Sequence, residues 1–286
     1  MYHCIIIGSG VAGISAALTL KANGKTVALF GSKNLSEKIE KAELIRNYPG
    51  LSMVSGKDFC TALQGQIADA EIEFFEEKVI GVYALNGKFG VATQQGNYYE
   101  SETVILACGV ESVKTIVGET EFIGRGASVC ATCDGFLYKG KTIAALCTSK
   151  RLEHEIEHLC SFAEKVYVIP MYKDVEIQAK NAEIIRKMPL RVVGGNRVES
   201  LTFADFELKI DGVFFLRECT SPTVLLDGLE MENGHVKVAR NMQTNITGMF
   251  AAGDCTGRPY QYAKAVGEGN VAAHAVSEYT SKTAQK

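Results

Sequence analysis

Two cysteines near the middle of the chain, Cys130 and Cys133, have the spacing of a redox-active pair. Two intervening residues allow a small disulfide ring, and after reduction one thiolate can act as a nucleophile while the other resolves the product. Asp134 follows directly and is placed to move a proton when the ring opens and closes. We therefore predict that Cys130, Cys133 and Asp134 form a catalytic site.

The alternative uses of these cysteines are zinc binding and an inert structural role. Zinc requires a second pair of soft ligands, and the sequence has no other Cys-x-x-Cys pair. His154 to His158 matches the H-E-x-x-H pattern, but both histidines lie opposite the apolar stripe of their helix, which predicts a solvated surface and no metal. The remaining cysteines are scattered singly, which favours a reducing compartment over a secreted disulfide framework.

A glycine-rich turn near the start of the chain could bind a dinucleotide. An apolar strand from Tyr2 to Ile7 runs into Gly8-Ser9-Gly10-Val11-Ala12-Gly13, and a helix follows to about Asn23. The first glycine permits the tight turn, the second lets a pyrophosphate approach the backbone, and the third lets helix and strand pack closely. Gly31 and Ser32 stand where NAD-binding proteins carry an acidic residue, which weakens NAD more than FAD as the ligand.

A second motif near the other end of the chain strengthens the flavin interpretation. A strand from Gly248 to Ala252 ends in Gly253-Asp254, and a helix begins at about Tyr262. The carboxylate can bond a ribityl hydroxyl, and the helix N-terminus can face the flavin edge that becomes negative on reduction. Together the two motifs predict bound FAD.

The order of apolar runs predicts an α/β protein with two Rossmann-like (three-layer ββα) domains, the second inserted in the first. After the first βαβ unit we expect strand-like pieces at Phe74 to Tyr83, Lys88 to Thr93, Tyr98 to Tyr99 and Thr103 to Ala107. A second βαβ pattern starts with a strand at Thr142 to Leu146, a helical stripe from Leu152 and a strand at Lys165 to Ile169.

Composition fits an ordinary globular protein. The chain has 286 residues, 47% hydrophobic and 22% charged residues and a formal net charge of −3, so nothing points to nucleic acid. The uncharged stretch from Cys4 to Leu20 is interrupted by glycines and has no basic segment before it, which argues against a membrane span or a signal peptide. We therefore expect a cytoplasmic protein with no membrane partner.

With these residues in hand, the chain resembles the low-molecular-weight thioredoxin reductase family over nearly its whole length. The motifs that carry the resemblance occur in the family's order: Gly8 to Gly13, Asn47-Tyr48-Pro49-Gly50, Ala107-Cys108-Gly109, Cys130 to Gly135 and Gly248 to Asp254. The resemblance implies an FAD domain split between residues 1–112 and 219–286, and an inserted, NADPH-domain-like domain at 113–218 that carries the disulfide. It also implies a homodimer, with thioredoxin as the partner.

The same resemblance implies roles for single residues. Cys133 would lie nearest the flavin, Cys130 would attack thioredoxin, and Asp134 would act as acid and base. The cofactor-binding residues implied by the motifs and their flanks are Gly8, Ser9, Gly10, Val11, Ala12, Gly13, Gly31, Ser32, Lys38, Asn47, Ala107, Gly109, Gly253, Asp254, Gln261, Tyr262 and Ala263.

The chain departs from the family where NADPH would bind. The second glycine fingerprint is replaced by Cys147-Thr148-Ser149-Lys150-Arg151-Leu152, and Met171-Tyr172-Lys173 stands in place of His-Arg-Arg. Bulky side chains block close approach of a pyrophosphate. In this respect the chain is similar to the ferredoxin-dependent flavin thioredoxin reductases of anaerobic bacteria, which implies reduced ferredoxin as the electron donor.

Two flavin-side segments also differ from the family. A Gly-Gly-Gln segment becomes Ser36-Glu37-Lys38, and Arg-Gln-Ala becomes Gln261-Tyr262-Ala263. We expect Lys38 to meet the cofactor and the Tyr262 ring to approach the isoalloxazine. Two other hypotheses remain open: an FAD-dependent dithiol oxidase that uses oxygen, and a non-catalytic flavin-binding regulatory protein.

Overall fold

The computed structural model describes residues 1–110, 116–217 and 222–283. The chain forms two compact units, a first unit of residues 1–110 and 221–286 and a second unit of residues 111–220. The predicted α/β class, with one unit inserted in the other, is confirmed. The predicted domain boundaries, at residues 112/113 and 218/219, lie outside the described residues.

The elements follow the chain in this order. The first part of the first unit contains β1 (Tyr2–Ile7), α1 (Val11–Ala22), β2 (Val27–Phe30), α2 (Glu37–Glu40), α3 (Gly56–Asp69), β3 (Glu73–Phe75), β4 (Val79–Leu85), β5 (Lys88–Thr93) and β6 (Tyr98–Leu106). The second unit contains β7 (Ala127–Ser128), α4 (Ala131–Asp134), β8 (Thr142–Cys147), α5 (Glu153–Cys160), β9 (Lys165–Pro170), β10 (Ala182–Ile184), β11 (Arg191–Gly194), β12 (Val198–Thr202), β13 (Glu207–Lys209) and β14 (Gly212–Leu216). The first unit then resumes with α6 (Pro222–Leu225), β15 (Met231–Glu232), β16 (His235–Val236), β17 (Met249–Ala251) and α7 (Tyr262–Thr283).

The main sheet of the first unit has the strand order β3-β2-β1-β6-β5-β4, and β17 also pairs with β6. β1, β2, β3, β6 and β17 run parallel to one another, and β5 and β4 extend the sheet from β6 as antiparallel strands. Residues 4–7 of β1 and all of β2 are continuously apolar because both faces of the parallel part are buried there. The carboxyl ends of β1, β2, β6 and β17 therefore meet at one edge of this sheet.

Two strand predictions need correction. The predicted strand Phe74 to Tyr83 is two strands, because β3 pairs with β2 while β4 starts the antiparallel extension. The predicted pair Tyr98 to Tyr99 and Thr103 to Ala107 is the single strand β6. Its polar centre is accommodated by local hydrogen bonds, since Ser101 Oγ donates to Thr103 O at 2.8 Å and Thr103 Oγ1 donates to His3 O at 2.7 Å.

The second unit repeats the parallel arrangement. Its main sheet has the order β10-β9-β8-β14-β7, and every described pairing in it is parallel. A separate antiparallel sheet contains β11, β12 and β13. The buried residues Ile156 and Leu159 of α5 form one hydrophobic cluster with side chains of β8, as the helical spacing predicts. Among the described residues, no helix combines the length and apolarity needed to cross a membrane.

Candidate cofactor and disulfide sites

Cys130 and Cys133 form a disulfide in the second unit, with an S–S distance of 2.05 Å and Cα atoms 5.3 Å apart. Cys130 immediately precedes the short helix α4, and Cys133 lies within it. Cys130 is the N-cap residue with an extended backbone, and the turn that begins after it brings Cys133 back to its side chain. The predicted pairing of the two cysteines is present in the structure.

The surroundings of Cys130 favour negative charge on its sulfur after reduction. The Cys133 N–H donates to Cys130 Sγ at 3.1 Å, and Thr132 Oγ1 lies 3.4 Å from the same sulfur. The Cys130 N–H is bound in turn to Ser128 Oγ at 3.1 Å, which fixes the start of the helix. A sulfur that receives such donors is the better thiolate of the pair. Cys130 is only 3% exposed, whereas Cys133 is half-buried.

Asp134 occupies the last position of α4. Its N–H donates to Cys130 O at 3.3 Å, so the backbone of the two residues is coupled. The side chain is half-buried. Its role as the acid and base of the disulfide remains a prediction.

The glycine turn after β1 leaves room for a pyrophosphate. A Cβ on Gly8 would lie 2.3 Å from Ala107 O, and a Cβ on Gly13 would lie 1.9 Å from Gly8 O, so both positions require glycine for close packing. A Cβ on Gly10 would meet no protein atom within 4 Å. Gly10 precedes α1 without a side-chain cap, and the first turn of α1 has no acidic residue. The N–H groups at this helix start are therefore suited to bind an anion.

The turn after β1 is bonded to the turn after β2 through Ser9, Gly31 and Ser32. The Ser9 hydroxyl donates to Leu35 O at 2.7 Å and accepts from the Ser32 N–H at 3.2 Å. A Cβ on Gly31 would lie 2.0 Å from Ser9 Oγ. These residues thus hold the end of β2 against the glycine turn, and the Ser9 hydroxyl is engaged by protein groups.

The C-terminal motif packs onto the same place. A Cβ on Gly253 would lie 2.8 Å from Ala12 Cβ, and Gly253 has a φ of 89°, which favours glycine. Val11 and Ala12 are buried in the first turn of α1. The structure therefore brings the predicted motifs from both ends of the chain together at one edge of the sheet.

Charged and polar side chains gather around Asp254. Lys38 Nζ lies 3.6 Å from Asp254 Oδ2 and donates to Val110 O at 2.8 Å. The Tyr262 hydroxyl lies 3.5 Å from Lys38 O, and Asn47 Nδ2 donates to Gln261 Oε1 at 2.8 Å. Lys38 and Tyr262 therefore lie in one cluster with Asp254, and their contact with a cofactor stays a prediction.

The Tyr262 ring is held by neighbours within the unit. It meets Phe59 of α3 edge to face, with ring centroids 6.0 Å apart. Burial raises the pKa of the Tyr262 hydroxyl, and the nearby Cys60 and Asp254 raise it further. Ala263 follows in the first turn of α7, and Gly109 lies beyond the end of β6 with a φ of 66°. How these residues contact a cofactor remains a prediction.

A network next to Asp254 involves residues that are absent from the sequence prediction. Lys264 and Glu268 of α7 bind each other and the turn that carries Asp254. The sequence gives only a weak signal of this network. That signal is Lys264 itself, a lysine in the first turn of a helix, where a positive charge is unfavourable.

In the second unit, the turn after β8 corresponds to the glycine turn after β1. Its backbone and the start of α5 are hydrogen-bonded to side chains of the same unit. After β8, the Ser149 hydroxyl accepts from the Arg151 N–H at 3.4 Å. The Glu153 carboxylate accepts from the Tyr172 hydroxyl at 2.9 Å and from the Glu176 N–H at 3.0 Å.

Carboxylates crowd the same region. Lys150 pairs with Glu176 at 2.6 Å, and Glu153 and Glu155 occupy the first turn of α5. The helix start that would receive a dinucleotide phosphate therefore already carries negative charge. His154 is exposed on this helix, and no group of three or more His, Cys, Asp or Glu residues in the described chain could hold a metal ion.

Comparison with known proteins gives a consistent result. The family model described as pyridine nucleotide-disulphide oxidoreductase matches residues 2–169 and 174–269. A crystal structure of a ferredoxin-flavin thioredoxin reductase from Clostridium acetobutylicum is 42% identical, covers 100% of this chain and 99% of that chain, and superimposes with a TM-score of 0.92. The thioredoxin reductases of Aquifex aeolicus and Helicobacter pylori are each 31% identical, covering 89% and 98% of this chain and 85% and 99% of their own lengths.

The chain belongs to the pyridine nucleotide-disulphide oxidoreductase family. The resemblance predicted from the sequence, to flavin thioredoxin reductases within that group, is confirmed. The cofactor of the family is FAD, and the open space at Gly10 in front of an uncapped helix start fits its pyrophosphate.

Proposed function

We propose that this chain reduces the disulfide of thioredoxin through the Cys130–Cys133 pair, with electrons that reduced ferredoxin delivers to FAD. Its full-length likeness to a ferredoxin-flavin thioredoxin reductase supports both partners. The observation that carries the choice of donor is the turn after β8. Its side chains bond to one another and its helix start carries carboxylates, which is unsuited to the pyrophosphate of NADPH.

The chemistry at the disulfide balances with two electrons and two protons. FAD, when bound, accepts single electrons and passes them on as a pair. The reduced pair offers the Cys130 thiolate, which attacks one sulfur of the thioredoxin disulfide and displaces the other as a thiolate. The Cys133 thiolate then attacks Cys130 Sγ in the mixed disulfide, releases dithiol thioredoxin and restores the Cys130–Cys133 bond.

The hydrogen bonds at Cys130 support its role as the attacking residue. The Cys133 N–H and the Thr132 hydroxyl stabilise negative charge on Cys130 Sγ, which makes it the better leaving group during reduction and favours its thiolate form afterwards. Asp134 is the nearest carboxylate in sequence and would accept or return the proton of the pair.

Anaerobic visible spectroscopy of the purified flavoprotein tests the electron donor. Reduced ferredoxin should bleach the flavin absorption and support thioredoxin reduction, whereas NADPH and NADH should do neither. Rapid bleaching by NADPH would refute the proposed donor. Peroxide production from a small dithiol in air, without ferredoxin-linked thioredoxin reduction, would favour the dithiol oxidase instead.

Cysteine variants test the disulfide. Cys130→Ser and Cys133→Ser should each lower thioredoxin reduction to background, while the flavin remains reducible by ferredoxin. Cys160→Ser is the matched control, because Cys160 is a free, half-buried cysteine of the same unit and should retain activity. Undiminished turnover by the Cys130→Ser/Cys133→Ser double variant would exclude the disulfide as the route of the electrons, whereas loss of turnover with an unchanged biological role would favour the non-catalytic regulatory protein. We also propose that the protein is a homodimer and that it is located in the cytoplasm. Light scattering of the purified protein tests the dimer.

A further inference from the structure

Lys264, in the first turn of α7, is bound almost entirely to one short turn of the chain. Its Nζ donates to Gly253 O at 2.7 Å, to Thr256 Oγ1 at 2.9 Å and to Gly257 O at 2.8 Å. Only 18% of its side chain is exposed. The ammonium group therefore closes the loop from Gly253 to Gly257, which contains Asp254.

Glu268, one helical turn later, binds the same loop. Its Oε2 accepts from the Gly253 N–H at 2.9 Å and from the Thr256 hydroxyl at 2.8 Å, and it lies 2.9 Å from Lys264 Nζ. Its side chain is 20% exposed. Gly253 is thus held at both its N–H and its carbonyl by two side chains of α7.

Helix stability does not account for this pair. A lysine in the first turn of a helix opposes the macrodipole, and a lysine followed by a glutamate four residues later is the less favourable order for such a pair. Lys264 and Glu268 are instead oriented toward the backbone that precedes the helix. Their hydrogen bonds act on the loop of Asp254.

We propose that Lys264 and Glu268 are positioning residues for FAD, which fix the Gly253–Gly257 loop and thereby the carboxylate of Asp254. This inference rests on FAD binding by the first unit and on the predicted contact of Asp254 with the cofactor. It is independent of which proteins donate and accept electrons. Lys38 Nζ, 3.6 Å from Asp254 Oδ2, acts on the side chain itself. Lys264 and Glu268 act on the backbone of the loop that carries it, at Gly253.

The release of FAD from the intact holoprotein, followed by the regain of flavin fluorescence, measures this role without any turnover. Lys264→Met should release FAD about tenfold faster, since it removes charge-assisted hydrogen bonds to the loop. Glu268→Gln should have a smaller effect because its amide oxygen can still accept. Both variants should also shift the visible absorption and circular dichroism of the bound flavin.

The same helix provides the matched control. Lys282 and Glu278 form an i,i+4 pair at 4.0 Å with side chains 80% and 75% exposed. Lys282→Met and Glu278→Gln should therefore change FAD release less than twofold. An equal change in the two pairs of variants would overturn the proposal, because it would reflect charge on the helix alone. If Lys264→Met does not fold, the rates of FAD release from Glu268→Gln and Glu278→Gln are compared instead, and equal rates would overturn the proposal.

A double variant separates positioning from a general structural role. In an Asp254→Asn background, Lys264→Met should accelerate FAD release less than twofold further, since its effect passes through the Asp254 carboxylate. A full tenfold effect in that background would contradict the proposal. Failure of ferredoxin or thioredoxin to react would refute the proposed function while leaving this result intact.

Discussion

The two units contain the same strand–turn–helix–strand arrangement with different chemistry in the turn. In the first unit β1, α1 and β2 are followed by the parallel strand β3, and in the second unit β8, α5 and β9 are followed by the parallel strand β10. The turn after β1 is open at Gly10 and lacks a side-chain cap. The turn after β8 has a serine cap and carboxylates at the start of its helix.

The difference shows that strand order alone does not determine dinucleotide binding in this molecule. Both turns lie at the carboxyl end of a parallel sheet, where α/β proteins usually bind ligands. Only the first retains small residues where a phosphate must approach the backbone. In the second, the Tyr172–Glu153 hydrogen bond joins the start of α5 to the segment after β9.

The largest expected effect follows from filling the open position of the first turn. Gly10→Ala adds a methyl group that meets no protein atom within 4 Å, so the fold of the variant should be intact. The methyl group would occupy the approach of the pyrophosphate, and FAD affinity should fall about a hundredfold, comparable to the loss of two hydrogen bonds. Equilibrium dialysis with FAD measures the affinity.

Gly65→Ala is the control for this substitution. Gly65 is exposed in α3, and its added Cβ also meets no protein atom within 4 Å. This variant should keep its FAD affinity and gain up to about 1 kcal/mol in free energy of unfolding, because alanine is the better helix former. If Gly10→Ala retains wild-type affinity, the first turn is not the pyrophosphate site.

A smaller effect is expected from the second turn, where the side-chain network should stabilise the fold and bind nothing. Glu153→Ala leaves the Tyr172 hydroxyl and the Glu176 N–H without their acceptor. We expect the free energy of unfolding to fall by about 1–2 kcal/mol. Urea denaturation measures this loss, and Glu157→Ala, at an exposed position of the same helix, should have little effect.

The same variant also tests whether the Glu153 carboxylate by itself prevents NADPH from reducing the flavin. Glu153→Ala still carries Lys150 and Arg151 in the turn and no glycine, so NADPH should leave the flavin oxidised. Flavin reduction by NADPH in this variant would mean that the carboxylate alone closes the second site. The distinction between the two turns would then rest on one charge and not on the shape of the backbone.

The features predicted correctly from the sequence are those with local signals. The strand β1 is apolar from residue 4 to residue 7, and a glycine turn separates it from α1, which ends at Ala22 near the predicted Asn23. The cysteine spacing predicted a disulfide because two intervening residues determine the distance by themselves. Such features depend on neighbouring residues and need little knowledge of the fold.

The features missed depend on tertiary contacts. Ser101 is polar and interrupts the apolar pattern of β6. It can nevertheless be fully buried because its hydroxyl donates a hydrogen bond to Thr103 O. Lys264 contacts carbonyl groups of the loop before its helix, and the conformation of that loop depends on Gly253 packing against Ala12. The sequence carries only a weak signal of the second arrangement, the lysine in the first turn of α7, and none of the first.

The smallest effect concerns the last residue of β8, which is a cysteine where the last residue of β1 is an isoleucine. β1 ends with Ile7, whereas β8 ends with the fully buried Cys147. Burial raises the pKa of the Cys147 thiol from 9.0 to about 11, and Glu155 and Glu153 oppose its ionisation further. Between these two values the unfolded chain loses this proton while the folded chain keeps it, so stability falls as pH rises and levels off above pH 11.

Comparison of two pH values isolates this contribution. From about pH 8 to about pH 9.5, Cys147 alone should lower the free energy of unfolding by about 0.8 kcal/mol, and Cys147→Ala should remove that part of the decline. Thr148→Ala, at the next position, removes the hydroxyl bonded to Leu216 O without removing a titrating group. Its stability should be lower at both pH values with the slope unchanged. If Cys147→Ala keeps the wild-type slope, the buried thiol is not what makes the second turn sensitive to alkaline pH.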